Sequence, residues 1–303
     1  MSLTRKITVL LEMIKFKLTI FAMPFAFTGA FLAAGGVPDL MVFLWIILAM
    51  VGARTSAMGF NRIIDWKFDA ANPRTEKRAI PAGEVHLKEA WLMVILAALL
   101  FFFSCYQLNR LTLLLSPLAL GLTFFYSLTK RFTSLCHLVL GVALAFAPLG
   151  GWVAVRGSLL EFPFVLSLGV LFWVAGFDTI YGCLDVDYDR KAGLYSLPSR
   201  LGPKNAFRLA VVFHLLAFIL FTITGMQMGL NYFYFLGLVI TAAALFYQHL
   251  IVSPTDLSRI HASFFSMNGL ISIVLFAATW LLGLCALLAV PRGLPSRVEA
   301  TAV

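Results

Sequence analysis

Residues 54–83 read RTSAMGFNRIIDWKFDAANPRTEKRAIPAG. Asn61, Asp65 and Asp69 recur every fourth residue, and Arg74, Lys77 and Arg78 follow. Residues four apart share a helix face, so this spacing predicts three oxygen-bearing side chains stacked along one edge of a helix. A solvated helix end would account for the charges alone. Two features argue against that reading. The segment leading into the motif is almost wholly apolar, and a second acidic cluster, Asp185, Asp187 and Asp189, appears later in the chain.

Working outward, the chain of 303 residues is 61% hydrophobic and 12% charged, where a soluble domain carries about 25% charged residues. Several apolar stretches reach about 20 residues, the span of a bilayer core. The sequence predicts an all-α polytopic membrane protein in the lipid bilayer, one domain over 1–303. Its nine spans are expected near 18–36, 40–64, 90–108, 111–128, 136–156, 162–184, 206–229, 231–251 and 267–290. The break between the third and fourth rests only on Gln107, Asn109 and Arg110. The N-terminal MSLTRKITVLLEMIKFKLTIF has no small-residue cleavage site and reads as a retained amphipathic lead-in to the first span.

The net charge of +9 raises nucleic acid as a partner, but its distribution excludes that. With the N-terminus inside, the inner segments hold Arg5, Lys6, Lys15, Lys17, Arg62, Lys67, Arg74, Lys77, Arg78, Lys88, Lys130, Arg131, Arg190, Lys191, Arg200, Lys204, Arg208 and Arg259. The outer segments hold only Arg110, Arg156, Arg292 and Arg297. This bias predicts a cell (inner) membrane protein with its N-terminus and both acidic clusters cytoplasmic. Cys105, Cys136, Cys183 and Cys285 form no CxxC pair, so neither a disulfide framework nor a zinc site is expected. The five histidines (His86, His137, His214, His249 and His261) are scattered and read as packing or interfacial residues.

Both acidic clusters follow an even-numbered span. Asp65-x3-Asp69 aligns with Asp185-x3-Asp189, each trailed by basic residues and a proline, Pro73 or Pro198. An internal duplication, about 1–128 and 136–251, is the expectation. Carboxylates with the Asn61 amide oxygen are hard donors that suit Mg2+, an ion usually shared between one or two carboxylates and substrate phosphates. Two such ladders at one membrane face can clamp a diphosphate, with Arg62, Lys67, Arg74, Lys130 and Arg131 as candidate cations. Asp178 lies deeper on the stripe of Asp185, with Tyr181 between them. Arg54 shares the face of Asn61. An ionisable residue at membrane depth costs about 2.5–3.5 kcal/mol on insertion scales. Arg54 therefore reads either as a ligand for an acceptor carboxylate or diphosphate, or as a structural ion pair with Asp178. Among the aromatics, Tyr126, Tyr181 and Phe60 are candidates to face a carbocation.

Asn61-x3-Asp65-x3-Asp69, Asp178-Thr-x-Tyr181 and Asp185-x3-Asp189 resemble the UbiA family of intramembrane aromatic prenyltransferases. Tyr126-Ser-Leu-Thr-Lys130-Arg131 is similar to that family's Tyr-x3-Lys-Arg motif, and the likeness runs from Phe16 to Leu288. The resemblance implies a nine-helix UbiA-like bundle with a cytoplasm-facing site. It implies transfer of a polyprenyl group from a polyprenyl diphosphate to a ring carbon of an aromatic acid, with Mg2+ as cofactor. Asn61, Asp65 and Asp69 would form the first metal–diphosphate motif, and Asp185 and Asp189 the second. Lys130 and Arg131 would hold diphosphate, and Asp178 and Tyr181 would stand near the reacting centre. The family's first motif usually begins Asn-Asp; here the second residue is Arg62. Arg62 would then contact diphosphate or pair with Asp65. Ser127 stands where many relatives have proline. The Asn-Arg version, with Asn72-Pro-Arg-Thr and Pro81-Ala-Gly, resembles a 4-hydroxybenzoate polyprenyltransferase-like subgroup. That makes 4-hydroxybenzoate the leading acceptor, as in ubiquinone-type biosynthesis. The alternative acceptor is a dihydroxynaphthoate, as in the futalosine route to menaquinone.

Two readings of another class remain. A transporter also carries intramembrane acids, although at the midplane and not in metal-ligand spacing. A lipid phosphotransferase would concentrate its aspartates in one compact motif.

Overall fold

The computed structural model describes residues 3–15 and 19–289. Lys17, Arg292 and Arg297 of the charge count lie outside them, as does the Cys285 side chain. Among the described residues, eight helices are long and apolar enough to cross a membrane, and a shorter apolar helix makes the ninth of the expected set. In chain order the helices are α1 Leu3–Met13, α2 Thr19–Ala34, α3 Leu40–Ile64, α4 Trp66–Ala71, α5 Leu87–Leu108, α6 Arg110–Thr129, α7 Cys136–Arg156, α8 Phe164–Gly182, α9 Val186–Lys191, α10 Leu197–Leu201, α11 Pro203–Gln227, α12 Tyr232–Leu250 and α13 Asn268–Ala289.

A bilayer leaves no water for bare backbone groups, so the spans are helical and their ends are capped. Asp39 accepts from the amides of Met41 and Val42 at the start of α3. Asn109 is the whole break between α5 and α6, in extended conformation. Its Oδ1 caps the Thr112 amide, and its Nδ2 donates to the carbonyls of Val153 and Ala154 at the end of α7. One polar residue thus ends a helix, starts another and ties both to a third.

Helix α3 packs on α5, α2 on α7, α7 on α8, α8 on α11, and α12 on α13, which returns to α2. Between membrane helices close backbone approach replaces the hydrophobic drive. At the α2–α7 contact, a Cβ on Gly151 would collide with the carbonyl of Ala26, and one on Gly29 with that of Pro148. The largest apolar cluster, around Phe25, Trp173, Phe177, Phe221 and Leu275, joins α2, α8, α11 and α13.

The lead-in helix α1 lies across the end of the bundle that carries the acidic motifs. Met13 and Ile14 pack with Ile63, Ile80 and Val85, and Lys6 pairs with Glu89 of α5.

Candidate active site

The two acidic motifs are built alike. Helix α3 ends at Ile64, Asp65 forms a joint with φ −92° and ψ 4°, and α4 continues. Backbone bonds from Asp65 N to the Asn61 carbonyl (3.0 Å) and from Asp69 N to the Asp65 carbonyl (2.8 Å) pass through the joint. The three side chains therefore stay along one edge. Asn61 Nδ2 donates to Asp65 Oδ2 at 2.9 Å. In the second motif α8 passes through a 3-10 turn, Cys183–Asp185, into α9. Asp185 there has φ −108° and ψ 5°, nearly the conformation of Asp65.

The loop after the first motif reaches the second. Arg74 donates from Nε to Asp185 Oδ1 at 2.8 Å and from Nη2 to Oδ2 at 2.6 Å. Asn72 Nδ2 donates to the same carboxylate at 3.1 Å. Tyr188 returns the tie by donating to the Phe68 carbonyl at 2.7 Å. Arg78 pairs with Asp69 at 2.6 Å, Arg131 with Asp65 at 3.2 Å, and Lys130 with Asp189 at 3.6 Å. Ser196 Oγ also donates to Asp189, at 2.9 Å. Each of the four aspartates thus faces one cation.

Burial, reinforced by neighbouring Asp69, raises the Asp65 carboxyl above its ordinary value, and Arg131 offsets this only in part. At Lys130 burial opposes the charge, but Asp189 and Asp185 outweigh it and the ammonium is held above its usual range. Lys15 moves the other way. Burial, then Arg62, Arg78 and Arg74, bring its ammonium down to about 8.

These groups form one end of a cavity of about 460 Å³. Past them its walls turn apolar: Ala53, Ala57, Phe101, Leu115, Ala119, Leu144, Ala147, Gly150, Val153, Trp173 and Phe177. Among the described residues, Arg54 Nε, Asp69 Oδ2 and His137 Nε2 are buried without a hydrogen-bond partner, and all three residues line this cavity. Buried polar atoms are normally paired, so each bare atom marks a position where a ligand would be satisfied.

The cavity gathers most of the site residues singled out in the sequence: Arg54, Asn61, Arg62, Asp65, Asp69, Arg74, Tyr126, Lys130, Arg131, Asp178, Tyr181, Asp185 and Asp189. Several expectations need correction. Asp178 pairs not with Arg54 but with His137, whose Nδ1–H donates at 2.7 Å. Arg62 does not pair with Asp65. Its Nε donates to the Met13 carbonyl at 3.2 Å and its Nη1 to Asn61 Oδ1 at 3.3 Å, so it holds the last carbonyl of α1. Phe60 is outside the cavity lining, stacked on Phe124 at 4.3 Å. Lys67 also points elsewhere, over the Trp66 ring. His137, expected to be a packing or interfacial residue, instead pairs with Asp178. Lys15, Asn72, Arg78 and Ser196 are not among the expected site residues, although Arg78 and Asn72 stand in the motif stretch 54–83. Only Arg78, one turn after Arg74, carried a usable signal.

An oxygen-only donor set with a bare Asp69 oxygen fits a hard divalent cation. Among the described residues no three His, Cys, Asp or Glu side chains converge to hold an ion by themselves. An ion held here would take one or two carboxylates and complete its shell with waters and substrate phosphates.

Fold and site together define a multi-pass helical membrane protein whose internal cavity joins a charged chamber to an apolar body. Residues 22–270 match the UbiA prenyltransferase family, and the chain belongs to it. The 4-hydroxybenzoate octaprenyltransferase of Francisella tularensis subsp. novicida is 30% identical over 250 residues, 82% of this chain and 87% of the relative. A UbiA homolog from Aeropyrum pernix K1 superposes with a TM-score of 0.81 at 36% identity, over 88% of this chain and 98% of its own. A UbiA homolog from Archaeoglobus fulgidus, solved with DMAPP and Mg2+, has a TM-score of 0.70 at 18% identity, over 90% of this chain and 98% of its own. The transporter reading is dropped: the protein is a prenyltransferase, and its acids sit at one end of the bundle.

Proposed function

We propose that the protein transfers a polyprenyl group from a polyprenyl diphosphate to a ring carbon of 4-hydroxybenzoate, with Mg2+ as cofactor. The observation that carries this is the meeting of both acidic motifs and four basic residues at one end of a cavity whose remaining walls are mostly apolar. A polyprenyl diphosphate has that polarity, a charged head and a long apolar tail. The substrates named for the Francisella and Archaeoglobus proteins support the same reading.

In this account Asn61, Asp65, Asp69, Asp185 and Asp189 are the residues that would hold the metal. When bound there, Mg2+ would supply positive charge against that gathering on the departing diphosphate. Arg74, Arg78, Lys130 and Arg131 turn from their carboxylates to phosphate oxygens, the arginines through paired N–H donors. The allylic C–O bond breaks, and the electron pair leaves with diphosphate. Tyr126, Tyr181, Trp173 and Phe177 surround the resulting cation with aromatic faces. Arg54 binds the acceptor carboxylate through its unpartnered Nε–H. The ring carbon ortho to the hydroxyl attacks the cation, and the ring proton then passes to the released diphosphate or to the Asp178 carboxylate. Asp178, held by His137, is the carboxylate beside that centre. The charge bias of the loops supports a cell-membrane location with the acidic end cytoplasmic.

The test is product mass spectrometry with 4-hydroxybenzoate and a dihydroxynaphthoate in competition. Prenylated 4-hydroxybenzoate as the main product is the expected result, and exclusive prenylation of the naphthoate overturns the acceptor assignment.

A further inference from the structure

We infer that Gly150 sets the length of prenyl chain the enzyme accepts, an inference that rests on the allylic diphosphate reading. Gly150 and Gly151 are neighbours on α7 and both line the cavity, yet their surroundings differ. A Cβ on Gly151 would strike the backbone of Ala26 and Ala30, so that glycine serves the α2–α7 contact. A Cβ on Gly150 would meet nothing within 4 Å. Glycine weakens a helix interior through its backbone entropy, and no close approach accounts for this one. What Gly150 does is leave its share of the cavity open.

Its position gives the open space a meaning. The cations and carboxylates fix the diphosphate at one end, and His137 of α7 stands with Asp178 just past them. The lining continues along α7 through Leu140, Leu144, Ala147 and Gly150 to Val153. Gly150 lies roughly 20 Å beyond His137 at about 1.5 Å of rise per residue. An isoprene unit contributes four chain carbons, and at bonds of about 1.5 Å it advances roughly 5 Å when extended. Gly150 therefore faces about the fourth unit from the reacting carbon. A side chain grown there enters the path of a long tail and leaves a short one untouched.

The experiment compares wild type, Gly150→Leu, Gly150→Phe and Gly121→Phe in membranes carrying the full chain. Each is offered 4-hydroxybenzoate with geranyl, farnesyl, geranylgeranyl or octaprenyl diphosphate. Gly121, on α6, also has open space at its Cβ but lies outside the cavity lining, so it controls for added bulk. The inference expects both Gly150 variants to keep geranyl transfer within about threefold of wild type. It expects the octaprenyl-to-geranyl ratio of kcat/KM to fall about tenfold or more, more for Phe than for Leu. Gly121→Phe keeps the wild-type length profile. An unchanged ratio in both Gly150 variants, or parallel loss at all lengths in both, overturns the inference. If wild type transfers no prenyl group of any length, the parent reading fails and takes this one with it.

Discussion

Arg74 grips the Asp185 carboxylate through two hydrogen bonds, 2.8 Å from Nε and 2.6 Å from Nη2, and so joins the two acidic motifs. Only a guanidinium can make this fork. Arg74→Ala strips Asp185 of its paired guanidinium and, on the proposed reading, removes a phosphate ligand. The KM for prenyl diphosphate should rise about 10- to 100-fold, equivalent to roughly 1.4–2.7 kcal/mol. Arg74→Lys should recover only part of this. Initial rates at varied diphosphate concentration provide the check, and a KM within twofold of wild type for Arg74→Ala would contradict the assigned role.

Lys15 predicts a pH dependence. Its ammonium is held down to about 8 by burial and then by Arg62, Arg78 and Arg74. The unfolded chain keeps the lysine protonated up to its ordinary value near 10.5. Lys15 therefore opposes folding below about pH 8, and that opposition is lifted as pH rises between the two values. Diphosphate binding calls for the opposite, since it favours the charged form. The KM for prenyl diphosphate should climb as pH passes 8, and Lys15→Met should flatten that climb while raising KM about tenfold at pH 7. Rate profiles from pH 6.5 to 9 measure both, and identical profiles for the two proteins would remove Lys15 from the site.

Position 62 can be given the aspartate that the resemblance leads one to expect there. In this chain Arg62 holds the Met13 carbonyl at the end of α1, so Arg62→Asp should loosen α1 instead of improving the site. Hydrogen exchange over residues 3–13 should accelerate, and diphosphate KM should rise through displaced Lys15. Unchanged exchange there would show that other contacts suffice to hold α1.

His137 holds Asp178 at 2.7 Å. His137→Ala should therefore weaken the acceptor side, raising the KM for 4-hydroxybenzoate or lowering kcat by about tenfold with little change in diphosphate KM. Equal losses for both substrates would mark His137 as a packing residue.

Much of this molecule is legible in the chain. Residues 40–64 and 136–156 emerge as spans at those bounds because apolar length dictates them. The fourfold spacing of Asn61, Asp65 and Asp69 holds even where α3 gives way to α4, because the backbone ladder continues through Asp65. What stayed hidden depends on long-range pairing. The partner of Arg62 lies 49 residues back along the chain, and that of His137 lies 41 residues ahead. A histidine on an apolar helix carries no mark of the carboxylate that tertiary packing brings to it. Gly150 and Gly151 are likewise indistinguishable in sequence, and only the neighbouring helix separates a packing glycine from one that faces a cavity.

The central claim is tested most directly by one measurement, mass spectrometry of the products formed by the purified full-length protein from octaprenyl diphosphate and 4-hydroxybenzoate. Wild type, Asp65→Asn and Asp185→Asn are compared, each with Mg2+ and with EDTA. The account predicts ring-prenylated acid from wild type with Mg2+, its loss in EDTA and its recovery when Mg2+ is returned. It predicts at least a roughly 100-fold lower yield from either variant. Product formed at wild-type rates by both variants, or undiminished in EDTA, would contradict it.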